Sequence, residues 1–255
     1  MNNATGKIIG SIVGWSLIPN FATRLLLQAL DFVFPRPLSQ QQRARQFRMV
    51  YAFVVLSYLF YNFVDAMLSV PPSFYERLGV TPEADENSIK LAFRAFARRN
   101  HPDRVGAAGT AVFVAVRSGY DALMNPTKRW AYDRFGPDVL DCITCMTEGD
   151  FLYHGLISSL GFHIASSITL LCFYAFSGHS KTTFWRCIIY TALAAGEYAF
   201  IFGIKPSMRT PYDDPLNVFE YMVPTRVPFQ HVKFLHHAFV FLSVALSRVF
   251  PVLFP

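Results

Sequence analysis

The chain has 255 residues, with 23 lysines and arginines against 17 acids for a net charge of +6, and a mean hydropathy of +0.29. Hydrophobic residues make up 53% and charged ones only 16%, which excludes an ordinary soluble globule, because so small a polar shell cannot cover that much apolar material. Four cysteines make no disulfide framework at this length, and the basic residues are split between apolar-segment flanks and one helix, so no nucleic acid partner is expected.

In chain order, residues 8–34 form a first apolar run, interrupted by Pro19-Asn20 and carrying Arg24 and Asp31. It is compatible with a span, a re-entrant segment or an interfacial helix. Its length, its proline and the lack of a small-residue cleavage site argue against a cleavable leader. Residues 49–70 are a cleaner run, long enough for a hydrocarbon core of about 30 Å, and Arg36, Arg43, Arg45 and Arg48 precede it. Residues 1–72 are therefore read as an N-terminal membrane region.

The next stretch, 73–138, is polar enough to stand in water. Between 87 and 100, Ile89, Phe93, Phe96 and Ala97 recur at the spacing of a buried helical stripe, while Lys90, Arg94, Arg98 and Arg99 fall on other faces. Residues 81–86 place a proline near the helix start and acids in its first turn, where the helix dipole favours them. Pro102 ends the helix, since its ring disfavours helical backbone at the preceding residue and removes a donor. Val112, Phe113, Val116, Tyr120 and Leu123 form a second stripe with the period to pack antiparallel on the first. Residues 101–108, bearing His101, Pro102 and Asp103, become the exposed turn between them. No nucleophile or metal constellation accompanies that turn, so it reads as a docking edge and the chain is not expected to be an enzyme.

These residues resemble the J domain of the DnaJ co-chaperone family. Phe74-Tyr75-Glu76-Arg77-Leu78-Gly79-Val80 is similar to the family's opening phrase, and 89–103 to its helix-His-Pro-Asp phrase. Phe113, Tyr120, Leu123, Asn125-Pro126 and Tyr132-Asp133-Arg134-Phe135-Gly136 follow in the family's order and at about its spacing. The resemblance covers 73–138, about a quarter of the chain. It implies a small helical domain that docks a DnaK-type heat-shock ATPase and stimulates its ATP hydrolysis. It further implies that His101, Pro102 and Asp103 engage that partner, with Asp103 paired to a partner arginine, and that Lys90, Arg94 and Arg98 steer association with an acidic patch. Two positions depart from the pattern: Leu91 stands where the family often has a second basic residue, and Asn100 where it often has an aromatic.

Beyond it, 139–255 reads as a C-terminal membrane region with about three spans, at 152–176, 184–204 and 232–254, the last carrying Lys233, His236, His237 and Arg248. The fold class expected is all-α: polytopic membrane helices with the J domain inserted between the spans at 49–70 and 152–176. The proline-rich connection 205–231 is expected as an irregular loop on the membrane surface, with Tyr212, Phe219, Tyr221 and Phe229 at the interface. Cys142 and Cys145 read first as juxtamembrane thiols, with a redox pair or half a zinc site as the alternatives. Glu197, His163 and the His236-His237 pair invite transport or lipid chemistry, yet read first as interhelical hydrogen bonding or interfacial groups. No metal ligand and no cofactor is assigned.

Charge bias sets the orientation. The arginines before 49–70 are placed in the cytosol, and Asp138, Asp141, Glu148 and Asp150 accompany the J domain across the membrane. That favours the endoplasmic reticulum membrane with a lumenal J domain; a mitochondrial membrane is the alternative. The sequence carries no glycine/phenylalanine-rich linker and no fourfold cysteine zinc region, so general client holding is not expected. The function expected is a membrane-anchored co-chaperone that recruits a DnaK-type ATPase for folding, translocation or quality control, with the bilayer and other membrane proteins as further partners. The alternative is a polytopic transport or lipid-handling protein with a regulatory J domain.

Overall fold

A computed structural model describes residues 2–35, 37–177, 180–203 and 226–254, and the side chains of all these except 2–12, 102–105, 107–108 and 177. Among them every regular element is helical: α1 (Asn2–Val33), α2 (Gln40–Ser69), α3 (Phe74–Leu78), α4 (Glu86–Arg99), α5 (Pro102–Leu123), α6 (Pro126–Phe135), a 3₁₀ turn (Pro137–Asp141), α7 (Glu148–Ser177), α8 (Lys181–Phe202) and α9 (Pro228–Leu253). The chain divides into two compact units.

The first unit comprises Met1–Ser69, Phe173–Tyr190 and His237–Pro255. α1 runs through Pro19, and the Thr23 hydroxyl donates to the Pro19 carbonyl at 2.6 Å. An apolar helix has no cheaper backbone arrangement to fall back on, which is why one lost donor does not end it. α2 starts where Ser39 and Gln42 form a reciprocal cap, the Ser39 N–H donating to Gln42 Oε1 at 2.9 Å and the Gln42 N–H to Ser39 Oγ at 3.3 Å. Trp15, Tyr51, Val55, Leu59 and Ala245 form the core, with Trp15 edge-on to Tyr58 at 4.9 Å. The buried Arg186 donates to Ser247 Oγ and lies 3.9 Å over the Phe173 ring.

The second unit comprises Val70–Cys172 and Thr191–His236. Its centre is the α4–α5 hairpin. Ile89, Val116 and Leu123 are buried together with Tyr75, Leu78 and Tyr132, and Phe93 stacks on Tyr120 at 4.2 Å. Val112, expected in the second stripe, is exposed; the buried line of α5 runs instead through Val116 and Leu123, with Phe113 and Tyr120 partly buried. Asp85 caps α4, accepting from the Ser88 N–H at 3.1 Å, and Asn125 caps α6 with Pro126 at its first position. Pro82 lies outside α4, so the cap and not the proline sets the helix start.

Two expectations for the C-terminal half are corrected. Among the described residues three helices are long and apolar enough to cross a membrane, Gln40–Ser69, Glu148–Phe176 and Pro228–Leu253. The run at 184–204 forms α8, a helix over Lys181–Phe202 whose charged residues Arg186 and Glu197 are buried. The loop expected at 205–231 ends early, because helix α9 begins at Pro228; Tyr212, Phe219 and Tyr221 lie outside the described residues. Phe229 is not interfacial. With Val227 it is buried in the hairpin's own core, 5.3 Å from Tyr132.

Candidate docking site on the helical hairpin

α4 ends at Arg99, and Asn100 is its C-cap, the backbone N–H and side-chain amide both donating to the Phe96 carbonyl. His101 follows and is exposed, its ring 6.3 Å from that of Phe113. The exposed turn is shorter than the expected 101–108. α5 already begins at Pro102, and the break falls at Gly106, whose φ of 66° and ψ of −168° interrupt the helix. Only glycine enters that region without strain, which is why the interruption sits there. His101 thus lies between the α4 cap and the start of α5, and Pro102 and Asp103 lie on the short helical turn before the Gly106 kink; the side chains of Pro102 and Asp103 lie outside the described set.

Beside this turn, α4 presents its charges. Arg94, Arg98 and Arg99 are exposed, and Lys90 is partly buried. Lys90 is tied to Glu86 one turn earlier at 2.5 Å; the other basic residues of the helix, Arg94, Arg98 and Arg99, lie toward its C-terminal half. Leu91 is 63% exposed, an apolar break in an otherwise charged surface.

The face is held by α3 and α6. Ser73 and Glu76 form a capping box, and Gly79 closes α3 in the left-handed region at φ 73°. Tyr75 is fully buried; its hydroxyl donates to Asp133 Oδ1 at 2.8 Å and accepts from Arg129 Nε at 2.9 Å. Arg129 Nη2 also donates to the carbonyls of Pro82 and Ala84, each at 2.8 Å. One guanidinium therefore fixes the loop that delivers Asp85 to the start of α4. The sequence reading missed Arg129, whose only signal was its place in a basic-aromatic phrase.

Around α6 the packing reaches distant segments. Ala131, Val139, Cys145 and Phe151 form a second cluster, Arg134 Nε donates to the Ile201 carbonyl at 2.8 Å, and the Gln230 amide donates to the Pro71 carbonyl at 3.1 Å. Cys142 and Cys145, expected first as thiols, are joined in a disulfide with Cα atoms 5.5 Å apart.

A separate convergence involves the ionisable groups of the apolar helices. His163 Nε2 and His236 Nε2 lie 2.9 Å and 2.8 Å from Glu197 Oε2, and Ser159 Oγ donates to Glu197 Oε1. His237 belongs to the first unit, its ring 6.3 Å from that of Phe241.

The hairpin and its turn form a J domain: residues 73–133 match the DnaJ domain family. The chain is 46% identical over 69 residues to a DnaJ-like protein of Mycoplasma genitalium, covering 27% of this chain and 12% of that one. It is 48% identical over 65 residues to the chaperone protein DnaJ of Caulobacter vibrioides, covering 25% and 17%. With the DnaJ homolog subfamily B member 12 of Mus musculus it shares 44% over 66 residues, covering 26% and 18%. The chain thus spans less than a fifth of the length of these relatives. No solved structure matches it.

Proposed function

We propose that the protein is a membrane-anchored co-chaperone that docks a DnaK-type ATPase through the His101-Pro102-Asp103 turn and the exposed arginines of α4, and stimulates its ATP hydrolysis. The observation that carries this reading is the exposed His101 standing directly after the basic helix of a DnaJ domain. A fixed turn beside positive potential suits recognition of an acidic partner surface, because the charges speed encounter and the turn supplies the specific contact. Anchoring is supported by three long apolar helices whose outward faces carry residues such as Phe53, Phe60, Ile164 and Ile168; unpaired apolar faces of that extent belong in lipid.

Location in the endoplasmic reticulum membrane with the J domain lumenal is supported by two features. Arg43, Arg45 and Arg48 sit at the N-terminal end of α2, while Asp138, Asp141, Glu148 and Asp150 cluster after the J domain. The Cys142–Cys145 disulfide suits an oxidising lumen. In that compartment the partner is a resident DnaK-type chaperone, and the service is folding or quality control of nearby membrane or translocating chains.

The test is single-turnover ATP hydrolysis by a DnaK-type ATPase with the full-length protein in detergent. Wild type accelerates hydrolysis, and Asp103→Asn or His101→Gln abolishes the acceleration. Unfolding of the exposed His101→Gln variant should stay within about 0.5 kcal/mol of wild type. Full stimulation by both variants would exclude the mechanism. Protease protection of a tag placed near Gly106 in sealed microsomes decides the side: digestion without detergent places the J domain in the cytosol.

A further inference from the structure

Outside the docking site, three helices of the second unit each send one potential metal ligand to the same point: His163 from α7, Glu197 from α8 and His236 from α9. Their ligating atoms all lie within 4.8 Å of one another. The Glu197 side chain is 4% exposed, and those of His163 and His236 are 23% and 19% exposed. The carboxylate is enclosed and the histidines border the opening.

We propose that His163, Glu197 and His236 form a binding site for a divalent transition metal of the zinc class. The donor set points to that class: imidazole nitrogen suits zinc and its neighbours, whereas calcium and magnesium select oxygen ligands throughout. Two histidines and one carboxylate also leave a fourth position for water. Both imidazoles address one oxygen, Oε2, through the same ring atom, Nε2. The other oxygen is held by Ser159, one turn before His163 on α7. Phe162 stacks on the His236 ring at 3.8 Å with an interplanar angle of 7°. Carboxylate and imidazole are thereby oriented by neighbours that do not themselves ligate, as outer residues orient the ligands of metal sites.

The spacing fits a modest adjustment. Tetrahedral ligands with metal bonds of about 2.0–2.1 Å stand about 3.3–3.4 Å apart, so for an ion to enter the two rings need to withdraw from Glu197 by roughly half an ångström and the three ligating atoms, now within 4.8 Å of one another, to draw to that common spacing. Without an ion, the two imidazoles meet one oxygen of an enclosed carboxylate by hydrogen bonds alone, and a charge among apolar helices is costly unless compensated. A divalent cation compensates the carboxylate, and a hydroxide at the fourth position would balance its second charge. No redox or covalent step is involved; each Nε2 turns its lone pair to the ion and the ring proton resides on Nδ1.

The experiment uses the full-length protein in detergent, purified without a histidine tag. It reads metal content by mass spectrometry, then titrates the chelator-stripped protein with Zn²⁺ and with Co²⁺, whose visible bands report low-coordinate nitrogen and oxygen ligation. Expected are one zinc per chain, a saturable Co²⁺ spectrum displaced by Zn²⁺, and a rise in thermal stability on adding zinc. Ser159→Ala should weaken binding by roughly 10–100-fold, as changes around the ligands do; Glu197→Gln and His163→Asn should weaken it further. His154→Asn, on the exposed face of α7, should bind as wild type. Absence of both zinc and a saturable Co²⁺ spectrum in the wild-type protein overturns the proposal even if the variants do not fold. Undiminished binding by folded Glu197→Gln and His163→Asn proteins overturns it as well.

Discussion

Tyr75 and Tyr132 are the two phenols on which the geometry of the docking hairpin turns. Tyr132 is 1% exposed; its hydroxyl oxygen accepts from the Phe74 N–H at 2.7 Å, and its ring stacks on Phe74 at 4.3 Å. Burial pushes both phenols above their ordinary value of 10.0, with the negative charge of Asp133 adding to the effect. A group with a raised folded pKa favours the folded state fully below its unfolded pKa and loses that contribution as pH rises toward the folded one. The stability of the domain is therefore predicted to fall above about pH 10. Tyr132→Phe removes the acceptor and leaves the Phe74 N–H without its partner, at a cost of about 1–3 kcal/mol at neutral pH. It also removes one of the two alkaline-sensitive groups. Thermal unfolding of the detergent-solubilised protein at neutral and alkaline pH checks both effects: a lower midpoint for the variant at pH 7 and a smaller decline above pH 10. Asp133, which accepts from Tyr75, connects this to recognition, because the same network through Arg129 sets the loop before α4.

At the scale of a helix, α4 shows how one amphipathic segment divides a packed face from a charged one. Ile89 is fully buried, and Phe93 and Phe96 pack partly buried against α5, while Arg94, Arg98 and Arg99 remain at the surface. Lys90 differs from the arginines. Its ion pair with Glu86 at 2.5 Å cancels much of its field at a distance, although an exposed pair of this kind contributes little to stability. Charge reversal at Arg94 is accordingly predicted to slow association with an acidic DnaK-type surface more than Lys90→Ala does. The wild-type rate should fall as salt shortens the Debye length from about 30 to about 8 Å, and Arg94→Glu should show a shallower salt dependence. Stopped-flow association at two ionic strengths measures this; equal salt slopes for wild type and Arg94→Glu would reduce the basic face to a solvated surface. Leu91→Lys restores the charge at the apolar break and is expected to steepen the slope.

Across the whole molecule, what the sequence made legible was local and periodic: the two stripes of the hairpin, the proline-ended basic helix, and three of the four runs expected to span. Each is a pattern repeated within a few turns, so a linear reading captures it. What it hid depended on residues far apart in the chain. Nothing around Phe229 announces that it packs on Tyr132; its proline-rich surroundings suggested an interfacial loop. Nor does any spacing rule join His163, Glu197 and His236, because each is a single residue on its own helix, far from the others in the chain. The helical hairpin is in this sense completed from outside its own sequence. Gly136, at φ 87°, leaves no room for a side chain: an added Cβ would stand 2.8 Å from the Phe229 ring. Phe229→Ala should therefore cost about 3–5 kcal/mol, the range for emptying a buried aromatic site. The loss should appear as faster proteolysis in the hairpin, residues away from the substitution in sequence. The proposed membrane anchoring is tested separately; it draws on long apolar helices such as α7, with Ile157, Leu160, Ile164, Ile168 and Leu171 all exposed, since exposed apolar area of that extent belongs in lipid. Alkaline carbonate extraction of membranes should leave both wild type and Phe229→Ala in the pellet, because the substitution loosens the hairpin and leaves the long apolar helices unchanged; release of wild type into the supernatant would refute the anchoring.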